Sequence, residues 1–210
     1  MKGVLSDNAV SGADVDERNE MEYDALLING HPVHIAPAQV SDLDRVRLFY
    51  KYLSNASTYY RFFGIRRAIP DRELLNAVDP AVEEHVTLLA NVDGNLAGIG
   101  EFIVDPSNEE AEVAFAVADD HHHEGIATLL LEALVVIARG RKINTLTAVT
   151  LRDNADMLLV FRTVGLREST SLDEDGIVHV SFDLLADDEL EQRSTERHLH
   201  ALHEATPSIE

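Results

Sequence analysis

Residues 112–138 read EVAFAVADDHHHEGIATLLLEALVVIA, which is a strand, a polar loop and a helix in succession. Side chains alternate in character over Ala111–Val117, and this period of two predicts a strand. The segment 126–138 is apolar almost all round, which predicts a buried helix. Gly125 lies where loop meets helix, and a glycine there lets a phosphate approach the unpaired N–H groups of the first turn. The pattern alone fits a plain turn into a buried helix equally well.

Further strands and helices are predicted on both sides of this unit. Asp93-Gly94 between two apolar runs predicts a two-residue hairpin, and Gly165 ends the last helix. Because hairpins and one or two β-α-β crossovers occur together, the order predicts an α/β fold with a mixed, mostly antiparallel central sheet flanked by helices. The predicted strands are 33–36, 85–92, 96–104, 111–117, 143–151, 166–169 and 177–184, and helices begin near 41, 70, 126 and 154.

The composition restricts the class of partner. Of 210 residues, 17 are Lys or Arg and 38 are Asp or Glu, so the formal net charge is −21. This charge argues against nucleic acid and against an anionic membrane surface, and it is compatible with a basic macromolecule. The chain has no cysteine, which excludes disulfides, zinc–thiolate sites and cysteine nucleophiles. A cytoplasmic location is the simplest expectation.

One folded domain with two polar ends is the predicted organisation. Residues 1–28 are acidic and lack any strand or helix period, which predicts a disordered or loosely attached tail. Residues 29–186 are predicted to form the domain, and residues 187–210 are predicted to form a polar tail that is helical or disordered. The start of the chain has no apolar stretch typical of a secretory signal, and no run approaches the ~20 apolar residues of a membrane helix.

Two segments resemble a known family. EVAFAVADDHHHEGIATLLLEAL at 112–134 and DNADMLLVFRTVGL at 153–166 resemble the GCN5-related N-acetyltransferases. The signature of that family is Gln/Arg-x-x-Gly-x-Gly/Ala after a strand, then an Asn and a helix that ends in Gly-Leu or Gly-Phe. The resemblance covers roughly residues 33–184. Within it, SNASTYYRFFGIRRAIPDREL at 54–74 and LDEDGIVHVSFDL at 172–184 are similar to bacterial protein lysine acetyltransferases.

The resemblance implies acetyl-CoA as co-substrate and the fold of that family. The pyrophosphate would bind the backbone amides of the loop and the first helical turn, and the pantetheine would pair with the strand before them. The residues so implied in cofactor binding are Phe115, Ala116, Val117, His122, His123, Glu124, Gly125, Ile126, Ala127, Thr128 and Asn154.

Glu112 is the implied catalytic base. The resembling proteins carry a glutamate at this strand position, and an amine acceptor must lose a proton before it attacks a thioester. A glutamate on the buried side of the strand would have a raised pKa and would suit that role, directly or through water. A solvent-facing glutamate on a half-exposed strand is the alternative.

Four positions depart from the family pattern or have a plainer explanation. His122 stands in place of Gln or Arg, and Glu124 stands where a basic residue is frequent. Phe161 takes the place of the tyrosine that many relatives use as a general acid. Asn154 is explained equally well as a helix cap. The run of three histidines predicts no metal, because neighbouring residues cannot easily ligate one ion together.

Three functions are compatible with these residues. The first is transfer of an acetyl group to a protein lysine by direct attack in a ternary complex, which the acidic surface suits. The second is the same chemistry on a small amine or amino acid. The third is an acyl-CoA-binding regulatory protein without turnover, which the departures at His122, Glu124 and Phe161 keep open.

Overall fold

The computed structural model describes residues 22–64, 69–105 and 110–185, and these form eight strands and five helices. No helix in those ranges is long and apolar enough to cross a membrane. The strands are β1 (Tyr23–Leu26), β2 (Pro32–Pro37), β3 (His85–Val92), β4 (Asn95–Asp105), β5 (Glu110–Val117), β6 (Thr145–Leu151), β7 (Arg167–Leu172) and β8 (Ile177–Asp183). The helices are α1 (Leu43–Tyr52), α2 (Asn55–Phe62), α3 (Asp71–Val78), α4 (Ile126–Gly140) and α5 (Ala155–Thr163).

The strands form a single sheet in the order β1-β2-β3-β4-β5-β6-β8-β7. Neighbouring strands are antiparallel except β5 and β6, which are parallel and are joined through α4. A parallel pair requires such a crossover. Asp93 and Gly94 connect β3 to β4 with φ of 49° and 77°, as a two-residue hairpin requires. The predicted mixed, mostly antiparallel sheet is confirmed.

Helices cover both faces of the sheet and divide the core in two. α4 and α5 pack on one face, and most of α4 is buried, as its apolar composition predicts. α1 and α3 pack on the other face around a smaller cluster that includes Val46 and Leu74. Successive residues of a strand face opposite layers, so Phe115 belongs to the α4 layer and Ala116 to the α1 layer.

The sheet begins earlier than the sequence predicts. Tyr23–Leu26 pairs antiparallel with β2, and the Tyr23 hydroxyl donates to the carbonyl of Leu129 at 3.2 Å. The predicted domain start at residue 29 is corrected, because β1 is part of the sheet. A four-residue strand is too short for its period to stand out beside an acidic segment. The rest of the predicted N-terminal tail, and the predicted tail at 187–210, lie outside the described residues.

β5 and β6 separate toward their carboxyl ends. They pair only from Glu110 opposite Thr145 to Val113 opposite Ala148. β5 continues to Val117 and β6 to Leu151 without pairing to each other. We call the unpaired segments, 114–117 and 149–151, the strand split. One side of the β5 backbone is open to a ligand there.

Two glycines of β4 let α4 lie against the sheet. A Cβ atom at Gly98 would lie 2.6 Å from Cγ2 of Ile126 and 3.4 Å from Cδ1 of Leu130. A Cβ atom at Gly100 would lie 3.0 Å from Cβ of Leu130. The position of the first turn of α4 therefore depends on the missing side chains.

Gly98→Ala is expected to lower the free energy of unfolding by about 1–3 kcal/mol, because the new methyl group must displace Ile126. Gly140→Ala is the matched control. Gly140 lies at the end of α4, and no described atom would approach its Cβ within 4 Å. Alanine is also a better helix former than glycine. Denaturant unfolding of both variants measures the difference. Wild-type stability in the Gly98 variant would show that α4 adjusts without cost.

Candidate active site

A cavity of about 530 Å³ occupies the strand split and has walls on both faces of the sheet. β5, β6, the loop before α4, the first turn of α4, α2 and α5 all contribute to it. A larger hollow of about 750 Å³ beside β2 and β3 contains none of the predicted site residues. The cavity at the strand split brings together every predicted site residue except Glu124. These residues are Glu112, Phe115, Ala116, Val117, His122, His123, Gly125, Ile126, Ala127, Thr128 and Asn154.

The backbone of β5 presents polar groups to the split. The N–H of Ala118 donates toward β4, to the carbonyl of Ala97 at 2.8 Å. Because successive residues of a strand direct these groups to opposite neighbours, those of Phe115 and Val117 point into the split. Nε2 of His122 lies 3.1 Å from the carbonyl of Val117 and donates to it. The backbone groups of Phe115 are left for a ligand that pairs with β5 as a further strand would.

The first turn of α4 closes one end of the cavity. Gly125 precedes it with φ of 95°, a value that favours glycine, and no side chain caps the helix. The N–H of Leu129 donates to the carbonyl of Gly125 at 3.1 Å. The N–H groups of Ile126, Ala127 and Thr128 come before that bond and have no acceptor within the helix. Together with the helix dipole they suit an anion.

Glu124 is held outside the cavity. Its Oε1 accepts from Nδ2 of Asn29 at 2.7 Å, and its Oε2 lies 2.8 Å from Nδ1 of His121. Its backbone carbonyl accepts from the N–H of Ile28 at 3.0 Å. The Glu124 side chain is therefore no part of the cavity wall, and cofactor binding by its backbone N–H stays a prediction. The side chain ties the loop to the turn between β1 and β2, and the carboxylate is turned away from the anion site.

The remaining histidines of the loop contact protein groups. His122 holds the loop against the end of β5 through Val117. His123 has φ of 63°, is exposed, and has Nδ1 3.7 Å from Oδ1 of Asp156 at the start of α5. No three His, Asp or Glu side chains in the described ranges lie together as metal ligands.

Glu112 lies at the closed end of the strand split. It is opposite Thr147, one residue before the last paired position of β5 and β6. By alternation it faces the layer of α1 to α3, as Ala116 does. Glu112 is exposed, so the expected buried glutamate is wrong. The strands part directly beyond it, and this opening exposes the carboxylate at the cavity wall.

The arginine of α2 is held by a buried cluster. Arg61 is the one lysine or arginine among the described residues of the cavity wall. Its guanidinium donates to Oε1 of Glu101 and contacts the phenol of Tyr50. Oε2 of Glu101 lies 2.6 Å from Nε2 of His85. Neither Glu101 nor His85 lines the cavity; both lie behind Arg61 and hold its side chain in the wall.

Glu101 is ionised at neutral pH although it is buried. It is 8% exposed. Burial alone raises the pKa of its carboxyl, but the hydrogen bond from His85 and the charge of Arg61 outweigh burial and hold the pKa below its usual value. Burial raises the pKa of the Tyr50 phenol, so Tyr50 stays neutral.

Asp119 joins the end of β5 to the start of α2. Its Oδ1 accepts from the hydroxyls of Ser54 and Ser57, each at 2.6 Å, and its Oδ2 accepts from the N–H of Ser54 at 2.8 Å. Burial raises the pKa of Asp119, but these hydrogen bonds lower it by more. The sequence analysis does not identify this link. The serine spacing before a helix is a capping signal, and Ser54 does cap α2.

Residues of α5 complete the wall. The side chain of Asn154 accepts from the N–H of Met157 at 3.2 Å, so the plainer role as a cap is present. Phe161 is buried, and its ring packs against that of Phe182 with centroids 5.5 Å apart. Thr150 of β6 also lines the cavity, and the sequence analysis does not single it out.

Known proteins are similar to this chain in sequence. The sequence model of the acetyltransferase (GNAT) family matches residues 51–166, more than half of the chain. The chain is 28% identical over 149 residues to acetyltransferase PA5475 of Pseudomonas aeruginosa, across 68% of this chain and 80% of that protein.

Solved structures agree with that match. The GNAT domain of S. lividans PAT is 30% identical, with a TM-score of 0.71 over 78% of this chain and 97% of that domain. The protein yncA of Salmonella typhimurium, solved with its cofactor acetyl-CoA, shares the fold at 16% identity and a TM-score of 0.62, over 74% of this chain and 96% of that chain. Both the sequence match and the shared fold lead to one conclusion: this chain belongs to the acetyltransferase (GNAT) family.

Proposed function

We propose that the chain transfers an acetyl group from acetyl-CoA to lysine side chains of proteins by direct attack in a ternary complex. The observation that carries the proposal is the strand split. It places an open strand backbone, an uncapped helix N-terminus and the Glu112 carboxylate in one cavity. Membership of the family supports the acetyl transfer.

The residues of the cavity fit acetyl-CoA. The N–H groups of Ile126, Ala127 and Thr128 would hold the pyrophosphate. The backbone of Phe115 would pair with the pantetheine. A Cβ atom on Gly125 would lie 3.3 Å from Ile28, so the loop beside the phosphates closes tightly only with glycine. Asn29 and His121 hold the Glu124 carboxylate, and its residue does not line the cavity.

The chain supplies a base and a polarising amide, while acetyl-CoA supplies an activated acyl group as its thioester. Glu112 removes a proton from the acceptor amine, directly or through water, because the amine is mostly protonated at neutral pH. The N–H of Phe115 polarises the carbonyl of the donor. These two groups act where β5 leaves its pairing with β6.

Charge and exposure support a protein acceptor. The net charge of −21 attracts lysine-rich surfaces. Glu112 is exposed, and Phe63, which also lines the cavity, is 39% exposed, so a side chain carried by a large molecule can approach from solvent. The similarity of residues 54–74 to bacterial protein lysine acetyltransferases also supports a protein acceptor. A cytoplasmic location stays a prediction from composition.

A thiol-release assay tests the acceptor. Acetyl-CoA is mixed with a lysine-rich protein, with the same protein after its lysines have been dimethylated, and with a panel of amino acids and small amines. Release with the unmodified protein alone, and acetyl-lysine by mass spectrometry, is expected. Release with small amines alone would reassign the acceptor. Calorimetric binding of acetyl-CoA without release from any acceptor would support the non-catalytic alternative.

Glu124→Ala is expected to weaken acetyl-CoA binding about fivefold, because the loop loses two hydrogen bonds that hold it. Glu124→Gln, which still accepts from Asn29, is expected to bind nearly as wild type does. Calorimetric titration measures both. If the carboxylate instead repelled the pyrophosphate, both variants would bind more tightly than wild type.

A further inference from the structure

Thr150 places a buried hydroxyl without a partner in the wall of the strand split. The residue is 1% exposed, and no described group forms a hydrogen bond with its Oγ1. Such groups are rare, because a buried hydroxyl that loses its water partners destabilises the fold unless another partner replaces them. Since Thr150 lines the cavity, a molecule bound there could supply the missing partner.

The strand register gives the position of Thr150. Val113 is opposite Ala148, and the same offset puts Thr150 level with Phe115 across the split. Both residues lie on the face covered by α4 and α5, whereas Glu112 lies on the other face. The cavity thus has a carboxylate on one side of the sheet and an unused hydroxyl on the other.

Acetyl transfer from a thioester requires stabilisation at the sulfur. The amine nitrogen bonds to the acetyl carbon, the carbon–sulfur bond breaks, and the sulfur keeps the bonding electron pair as a thiolate. A hydrogen-bond donor at that atom stabilises the developing charge. Phe161 offers no donor. In the opposite wall, Ser57 is bound to Asp119 and Arg61 to Glu101.

We propose that the Thr150 hydroxyl donates a hydrogen bond to the sulfur of the bound cofactor and stabilises the thiolate as it leaves. Thr150 keeps its own proton throughout. The proposal rests on acetyl-CoA as the donor in the proposed function, and it holds for any amine acceptor.

Two substitutions separate the hydroxyl from the shape of the side chain. Thr150→Val removes the hydroxyl at nearly constant volume, and Thr150→Ser retains it. Calorimetry with CoA, and with desulfo-CoA in which hydrogen replaces the thiol, isolates the sulfur. Above about pH 8.5, where the free thiol ionises, the valine variant is expected to bind CoA about tenfold more weakly. Its affinity for desulfo-CoA should be unchanged, and the serine variant should restore CoA binding.

An equal change in the affinities for CoA and desulfo-CoA, or no change in either, would overturn the proposal. The valine variant without ligand should unfold at the wild-type temperature or higher, because it loses an unsatisfied group. A lower unfolding temperature together with a wild-type ratio of the two affinities would identify a structural role and also overturn it. If the wild type binds desulfo-CoA but transfers acetyl to no protein, only the protein acceptor is refuted.

Discussion

Glu112→Gln is expected to slow acetyl transfer at neutral pH by about a hundredfold to a thousandfold, while the Kd for acetyl-CoA stays at the wild-type value. The amide has nearly the shape of the carboxylate but cannot accept the proton of the acceptor amine. Steady-state kinetics with the acceptor found in the panel gives kcat, and calorimetry gives the Kd.

The loss of activity in Glu112→Gln should become smaller as the pH rises. A free lysine amine loses its proton near pH 10.4, so the variant should regain activity as the pH approaches about 10. Glu110→Gln is the control, because Glu110 lies two residues earlier on the same face of β5 and outside the cavity wall. If Glu112→Gln retains wild-type kcat, or if Glu110→Gln loses as much, Glu112 is not the base.

Glu101→Gln is expected to lower the free energy of unfolding by about 3–5 kcal/mol at pH 7, because the buried carboxylate of Glu101 is the counter-charge of the partly buried guanidinium of Arg61. For a chain of this size the unfolding temperature would fall by roughly 6–20 °C. Since Arg61 is in the cavity wall, binding of acetyl-CoA should be measured at a temperature where the variant is folded.

The pH dependence follows from the lowered pKa of Glu101. A carboxyl whose pKa is lower in the folded state stabilises the fold above its unfolded pKa of about 4.3, and this contribution is lost as the pH falls through the folded pKa. The difference in stability between wild type and Glu101→Gln should therefore be largest at neutral pH. It should shrink below about pH 4.

Asp44→Asn is the matched control for a surface pair. Asp44 also contacts an arginine, Arg47, but its side chain is 86% exposed, so the variant should lose less than about 1 kcal/mol. Denaturant unfolding at several pH values compares the two variants. Equal losses would mean that the burial of Glu101 has no energetic consequence for its pair with Arg61.

Much of the fold was predictable because its signals are local. The Asp93-Gly94 hairpin requires two residues of positive φ, and the apolar run of α4 is incompatible with an exposed helix. β1 and α2 were not predicted. β1 is too short to show a period, and α2 is a short helix with no buried residue among the aromatic side chains that mask its pattern.

The parts of the site that depend on backbone conformation were predictable from the sequence. Gly125 and the turn after it could be recognised because a bend from strand to helix has its own sequence requirements. The side-chain contacts were not predictable. Asn29, which binds Glu124, and Ser54, which binds Asp119, are 95 and 65 residues distant along the chain.

The sequence by itself determined the order of most strands and helices, the position of the glycine turn before α4 and the resemblance to the family. These depend on neighbouring residues and on the period of apolar side chains. Only the tertiary structure decided that Glu112 is exposed, that Glu124 is turned away from the cavity and that Thr150 is buried without a partner. The positions of Glu112 and Thr150 relative to the cavity depend on where β5 and β6 part, whereas the orientation of Glu124 depends on its contact with Asn29, which is 95 residues distant along the chain.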